Sequence, residues 1–156
     1  MLFIVALALT IGTVVLHQLT TLVDLSPFNN IHGASPRERR TEALVNGPLM
    51  ALPAVLVGVA WSTGVAALGY AAAGLELAFA LSGLALWWLP YLAGRSVPWA
   101  TMGGESWESL HARTYASTII VLPEHRGRPR PNLEHMILHT LMLLSAAACL
   151  LFALTL

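Results

Sequence analysis

Four long apolar stretches, parted by two polar ones, set the pattern of this chain. Positions 2–23, 44–63, 66–92 and 133–155 are nearly free of charge, and each matches the ~20 residues a helix needs to cross a hydrocarbon core. From Gly47 to Leu92 the only charged residue is Glu76. That run is long enough for two spans joined by a tight turn, placed near Ser62, Thr63 and Gly64. The pattern predicts an all-α polytopic integral membrane protein: one membrane domain over 1–156, a four-transmembrane-helix bundle with loops at about 24–43 and 93–132.

The polar stretches carry local signals of their own. Ser35, Pro36 and Glu38 read as cap, first-turn proline and first-turn acid, so the second helix is expected to begin near Arg37, ahead of its apolar span. Pro131 and Asn132 open the fourth span in the same manner. In the second loop Trp107, Leu110, His111, Tyr115, Thr118, Ile119 and Leu122 recur at three- and four-residue intervals. This spacing predicts an interfacial amphipathic helix between spans three and four, ended before Pro123, with a lid over a site between the spans as the functional alternative. Residues 123–131, rich in proline, glycine and arginine, read as loop. The first span has no basic flank and no small-residue cleavage site, and is expected to be retained rather than removed as a signal peptide.

Charge adds orientation. All eight basic residues are arginines, and all fall within Arg37–Arg40 and Arg95–Arg130. Short basic loops stay cytoplasmic, so the expectation is a multi-pass plasma-membrane protein with arginine-rich loops inside and both termini outside. Trp87, Trp88, Tyr91 and Trp99 would then form an aromatic belt at the cytoplasmic boundary. The chain is 56% hydrophobic and 10% charged with a mean hydropathy of +0.70, which argues against a soluble domain. With the arginines explained by topology and a net charge of zero, no nucleic-acid partner is expected. Cys149, the single cysteine, reads as packing.

The candidate chemistry lies in polar stripes. Thr10, Thr13, His17, Thr20 or Thr21, and Asp24 form one face of span one, which must meet protein or water rather than lipid. Asn132, His135 and His139 repeat the pattern in span four, and His17 and His139 each lie about 10 Å inside their helix ends at 1.5 Å per residue. Imidazoles at equal depth on two helices suit a ligand acid group, a proton, a metal ion or a haem iron, with His17, His135 and His139 as the metal-binding candidates. Against this stands plain hydrogen bonding of the histidines within the bundle. Asn29 and Asn30 are turn formers first, and a polar floor second. Arg126, Arg128 and Arg130 suit an acidic head group, with His111 and Tyr115 covering it from the amphipathic helix. Glu76 is a proton or cation candidate, or else a neutral acid bonded to Thr10 or Thr13.

The spacing His135-x-x-x-His139 resembles one histidine box of membrane fatty-acid desaturases, but the further His-x-x-His-His boxes are missing. Four spans, external termini and a basic first cytoplasmic loop are similar in topology to the microsomal glutathione transferases. That resemblance would imply a trimer binding glutathione; the long loop 95–131 departs from it, and the family's glutathione motif does not map onto these residues. Glycine-rich phosphate loops, Cys-x-x-Cys pairs and nucleophilic-serine motifs are missing too. Three functions remain: binding or processing of a lipidic or amphiphilic ligand at a His-containing site on the cytoplasmic side; a non-catalytic accessory or scaffold subunit; and a small oligomeric transporter using Glu76. The expected partners are membrane lipids, and further copies of the chain or a larger membrane complex.

Overall fold

The computed structural model describes residues 1–101 and 104–156. Five helices follow one another: α1 (Leu2–Leu22), α2 (Pro36–Thr63), α3 (Ala66–Ala93), α4 (Trp107–Tyr115) and α5 (Leu133–Ala153), with a 3-10 turn at Ile31–Gly33 after α1. No strand occurs among the described residues. α1, α2, α3 and α5 are each long and apolar enough to cross a membrane, so the chain is a multi-pass membrane protein of the predicted class.

The four long helices close into a ring. α1 packs on α2 and α5, and α3 packs on the same two from the other side. Phe3 stacks on Trp61 at 4.7 Å and meets Phe152 at 5.9 Å, which gathers both termini and the α2–α3 turn at one end of the bundle. The two polar loops therefore share the other end.

Local chemistry sets these boundaries. Ser35 Oγ accepts from the Glu38 amide at 3.2 Å while the Glu38 carboxylate accepts from the Ser35 amide at 2.6 Å, a reciprocal cap that starts α2 well ahead of its apolar span. Gly64 ends α2 at φ 71°, in the left-handed region where glycine avoids a Cβ clash, and so makes the tight turn. Asn132 caps α5 through its Oδ1, bonded to the His135 amide at 3.2 Å.

Apolar packing fills the two halves of the ring separately. Ala6, Val57, Ala60, Ala72, Cys149 and Phe152 cluster toward the terminal end, and Met50, Ala80, Leu138 and Met142 toward the loop end. Small residues permit close approach: a Cβ on Gly69 would lie 2.8 Å from that of Ala153. The outward faces expose Ile11, Val55, Leu81 and Leu144, as a lipid-facing surface requires.

Two sequence expectations need correction. The helix expected to run to Leu122 stops at Tyr115, because the Thr118 hydroxyl bonds back to the Tyr115 carbonyl and the Ile119 amide is drawn to Pro27 O at 3.0 Å. The Leu133 amide then bonds Ile119 O at 2.8 Å, so Ile119 is tied to the first loop and to the start of α5 rather than continued as helix. The aromatic belt is divided as well: Trp87 and Tyr91 are buried inside, while Trp99 stays exposed.

Candidate functional site

The loop end of the ring holds a polar pocket. α1 contributes His17, Thr20 and Thr21, α2 contributes Arg39 and Glu42, and α5 contributes Glu134, His135 and Leu138. Asn29, Asn30, Ile31 and Ala34 close it from the first loop, and Thr114 and Tyr115 from the end of α4. Its cavity of about 50 Å³ suffices for ordered water or one small polar group.

Each wall is positioned by a neighbour. His17 is buried with Nε2 3.5 Å from Glu42 Oε1, while its Nδ1 has no hydrogen-bond partner. A carboxylate beside one imidazole nitrogen orients the ring and leaves the other free for a ligand or a proton. The Arg39 Nε is also buried without a partner, and no carboxylate among the described residues pairs with this guanidinium. His135 donates from Nδ1 to Asn132 Oδ1 at 2.7 Å, which leaves Nε2 as its acceptor atom in the neutral ring. Asn132, fully buried, also donates through Nδ2 to Thr118 at 3.0 Å. Glu134 is buried at the pocket wall, one residue from His135.

Rings seal the site toward α3. Trp87 stacks on His135 with centroids 3.7 Å apart, and its other contacts are Tyr115 at 4.6 Å, Trp107 at 5.2 Å and His111 at 5.5 Å. The face of α4 that the sequence assigns to an interface thus meets Trp87 of α3. His111 donates from Nε2 to the Arg130 carbonyl at 2.8 Å, and burial holds its pKa below the ordinary histidine value. Burial, aided by the nearby Glu42 and Glu134, pushes the Tyr115 phenol far above its usual range. Tyr115 therefore meets the pocket as a neutral hydroxyl.

The remaining sequence candidates scatter. His17 and His135 meet in the pocket, but His139 turns to α3, where its ring lies against the bare backbone of Gly83 and its Nδ1 has no partner. Among the described residues no three His, Cys, Asp or Glu side chains stand close enough to hold a metal, so His17, His135 and His139 do not form the ligand set their spacing suggested. Asp24 is exposed; its carboxylate accepts from the Ser26 amide at 3.0 Å and pairs with His32 at 3.1 Å, contacts that hold its pKa down. It belongs to the turn after α1, outside the pocket. Asn29 lines the pocket while bracing that same turn, donating to the Thr20 and Val23 carbonyls at 2.7 Å each.

Arg126, Arg128 and Arg130 also lie away from the pocket. Arg128 donates to the Leu92 and Tyr91 carbonyls at 2.6 and 3.2 Å and so caps α3, Arg130 donates to Leu122 O at 3.2 Å, and Arg126 is exposed. Glu76 sits deep in the bundle with neither carboxyl oxygen bonded, so the expected bond to Thr10 or Thr13 is not made. Those hydroxyls bond the Ala6, Leu7 and Leu9 carbonyls and Ser145. Sequence reasoning notes Glu134 only as lying alongside His135 and His139, and passes over Arg39, Glu42 and Trp87 as site residues; the one available signal for the α2 pair was the reciprocal cap, which carries α2 and its charges over the end of α1. No protein family, curated protein or solved structure matches this chain.

Proposed function

We propose that the loop-end pocket binds the polar head of an amphiphilic ligand from the cytoplasmic leaflet, with α4 as its cover. The observation that carries this reading is Arg39: a guanidinium at a pocket wall, its Nε buried and unpaired, is poised for an acceptor-rich group such as a carboxylate or phosphate. The Glu42–His17 pair and the neutral Tyr115 hydroxyl add proton donors and acceptors around the same cavity. A lipidic source is favoured by place, since the pocket opens where apolar spans give way to polar loops and where head groups lie. The arginine-rich end is assigned to the cytoplasm on the charge rule.

Native mass spectrometry of the protein extracted in mild detergent tests this. A co-purifying acidic amphiphile is expected, with Arg39→Ala weakening its retention roughly ten- to hundredfold, the effect of losing a charge-assisted hydrogen bond of about 1.5–3 kcal/mol. His17→Ala should act in the same direction, and Arg128→Ala, outside the pocket, should leave retention unchanged. Equal retention in Arg39→Ala and the unaltered chain would sink the proposal.

A second reading has its own observation. Gly74, Ala78 and Ser82 form an exposed small-residue face on α3, the kind against which another transmembrane helix packs closely. An accessory subunit or homo-oligomer would use that face. Cross-linking in native membranes distinguishes them: partners joined through α3 support it, and a strictly monomeric protein opposes it.

A further inference from the structure

α3 carries a carboxyl that the loop-end pocket does not use. Glu76 is 1% exposed, and neither of its oxygens has a hydrogen-bond partner. It lies about 15 Å from the Ala66 end of α3 at 1.5 Å per residue, near the middle of a hydrocarbon core of ~30 Å. Buried polar groups in native proteins are almost always bonded, and an acid kept in a span solely for structure would be expected to have found a donor. This one separates two apolar clusters, with Ala72 and Ala73 on one side and Ala80 on the other.

The groups around it are few. On the neighbouring helices α1 presents Thr10 and Thr13, α5 presents Ser145 and Cys149, and α2 presents only apolar Pro53, Val57 and Ala60. Cys149 is the only titratable one among these neighbours, and none of them is a cation. Thr13 and Ser145 share a hydrogen bond of 3.2 Å. From Thr13 the buried stripe of α1 continues through His17 to Thr20, and both of these line the loop-end pocket. His139, with its own unpaired Nδ1, lies apart from that stripe, against Gly83 of α3.

We propose that Glu76 is an exchangeable proton site at mid-depth in the bundle, filled and emptied from the loop-end pocket along the Thr10–Thr20 stripe. On release the Glu76 O–H bond breaks and its electron pair stays on the carboxylate. Neither Glu76 oxygen has a bonded partner, so the proton passes to a water molecule admitted along the stripe, the Thr13 hydroxyl takes one proton as it gives up its own, and one proton reaches the unpaired Nδ1 of His17. Uptake is the reverse. The ligand is the proton itself, and the site stands independently of what the pocket binds.

Infrared difference spectroscopy of the protein in liposomes tests the proposal. A carboxylic-acid carbonyl band is expected that shifts on transfer to heavy water while the helices stay protected, and that disappears in Glu76→Gln but persists in Glu134→Gln. Thr13→Val should slow that shift at least tenfold. Should Glu76→Gln fail to fold, dicyclohexylcarbodiimide on the unaltered chain identifies the band, since the apolar reagent forms an N-acylurea on a protonated carboxyl and the modified peptide can be read by mass. A Glu76 band that stays unshifted in heavy water in the folded protein overturns the site, as does the lack of any Glu76 acid band or adduct. Equal exchange rates in Thr13→Val and the unaltered chain overturn the route.

Discussion

Single residues at the loop end work through contacts that no neighbour in sequence provides. His139 fits only because Gly83 lacks a side chain; a Cβ there would collide with the imidazole. Gly83→Ala should therefore cost about 1–3 kcal/mol in a detergent unfolding assay, the usual range for overpacking. Gly74→Ala on the same helix meets nothing within 4 Å and should be neutral or slightly stabilising, as alanine is the better helix former. Equal losses in both would refute the steric account. Trp87 is the other decisive residue, since His135, Tyr115, Trp107 and His111 all meet its ring. Trp87→Ala should destabilise by about 3–5 kcal/mol. The polar stripe of α1 was legible from periodicity alone, because a helix cannot show threonine and histidine to lipid; which neighbour each residue meets was not.

At the scale of elements, α4 is the part whose attachment depends on charge. Arg113 reaches the Gly33 carbonyl at 2.5 Å, Glu38 at 3.0 Å and Glu105 at 3.0 Å, joining the first loop, the start of α2 and the approach to α4. The Ser35 amide and hydroxyl, with Arg113, bring the Glu38 pKa down to about 2 from 4.5, and Arg113 lowers that of Glu105. Depressed carboxylate values stabilise above the unfolded pKa, so this contribution is whole above about 4.5 and is lost as pH falls toward 2. His111 acts earlier. Its folded pKa lies below 6.5, so burial of the neutral ring begins to oppose folding as pH drops below that value. Protection factors against hydrogen exchange across residues 107–122, corrected for the intrinsic pH dependence of exchange, should accordingly fall in two stages on acidification, while those of α1 and α5 hold. His111→Gln should remove the upper stage; its survival in that variant would refute the assignment. Because the partners are partly exposed and screened by solvent, Arg113→Ala should loosen α4 without unfolding the bundle.

For the whole molecule, the shared end of the Phe3, Trp61 and Phe152 rings means that both termini and the α2–α3 turn must be accessible from the same side of the membrane. The proposed cytoplasmic placement of the arginine end requires that Ser62→Cys in a Cys149→Ala background react with an impermeant maleimide added to intact cells. Glu124→Cys should react only after the membrane is opened. Labelling of Glu124→Cys from outside would invert the orientation and move the pocket to the external face.

What the sequence determined is the part governed by local and one-dimensional physics. Span number follows from apolar length, the start of α2 from Ser35, Pro36 and Glu38, the turn from Gly64, and the buried face of α1 from its threonine and histidine spacing. Tertiary structure decided the rest, since a pocket is a meeting of faces from distant segments. It set Glu42 beside His17, put Arg39 and Glu134 on the walls of one pocket, and sent His139 to Gly83 instead of to His17. It also ended α4 at Tyr115, because hydrogen bonds from Ile119 to Pro27 and from Leu133 to Ile119 outweighed a periodicity that would have continued the helix. Periodicity says which side of a helix must be buried; only packing chooses against what.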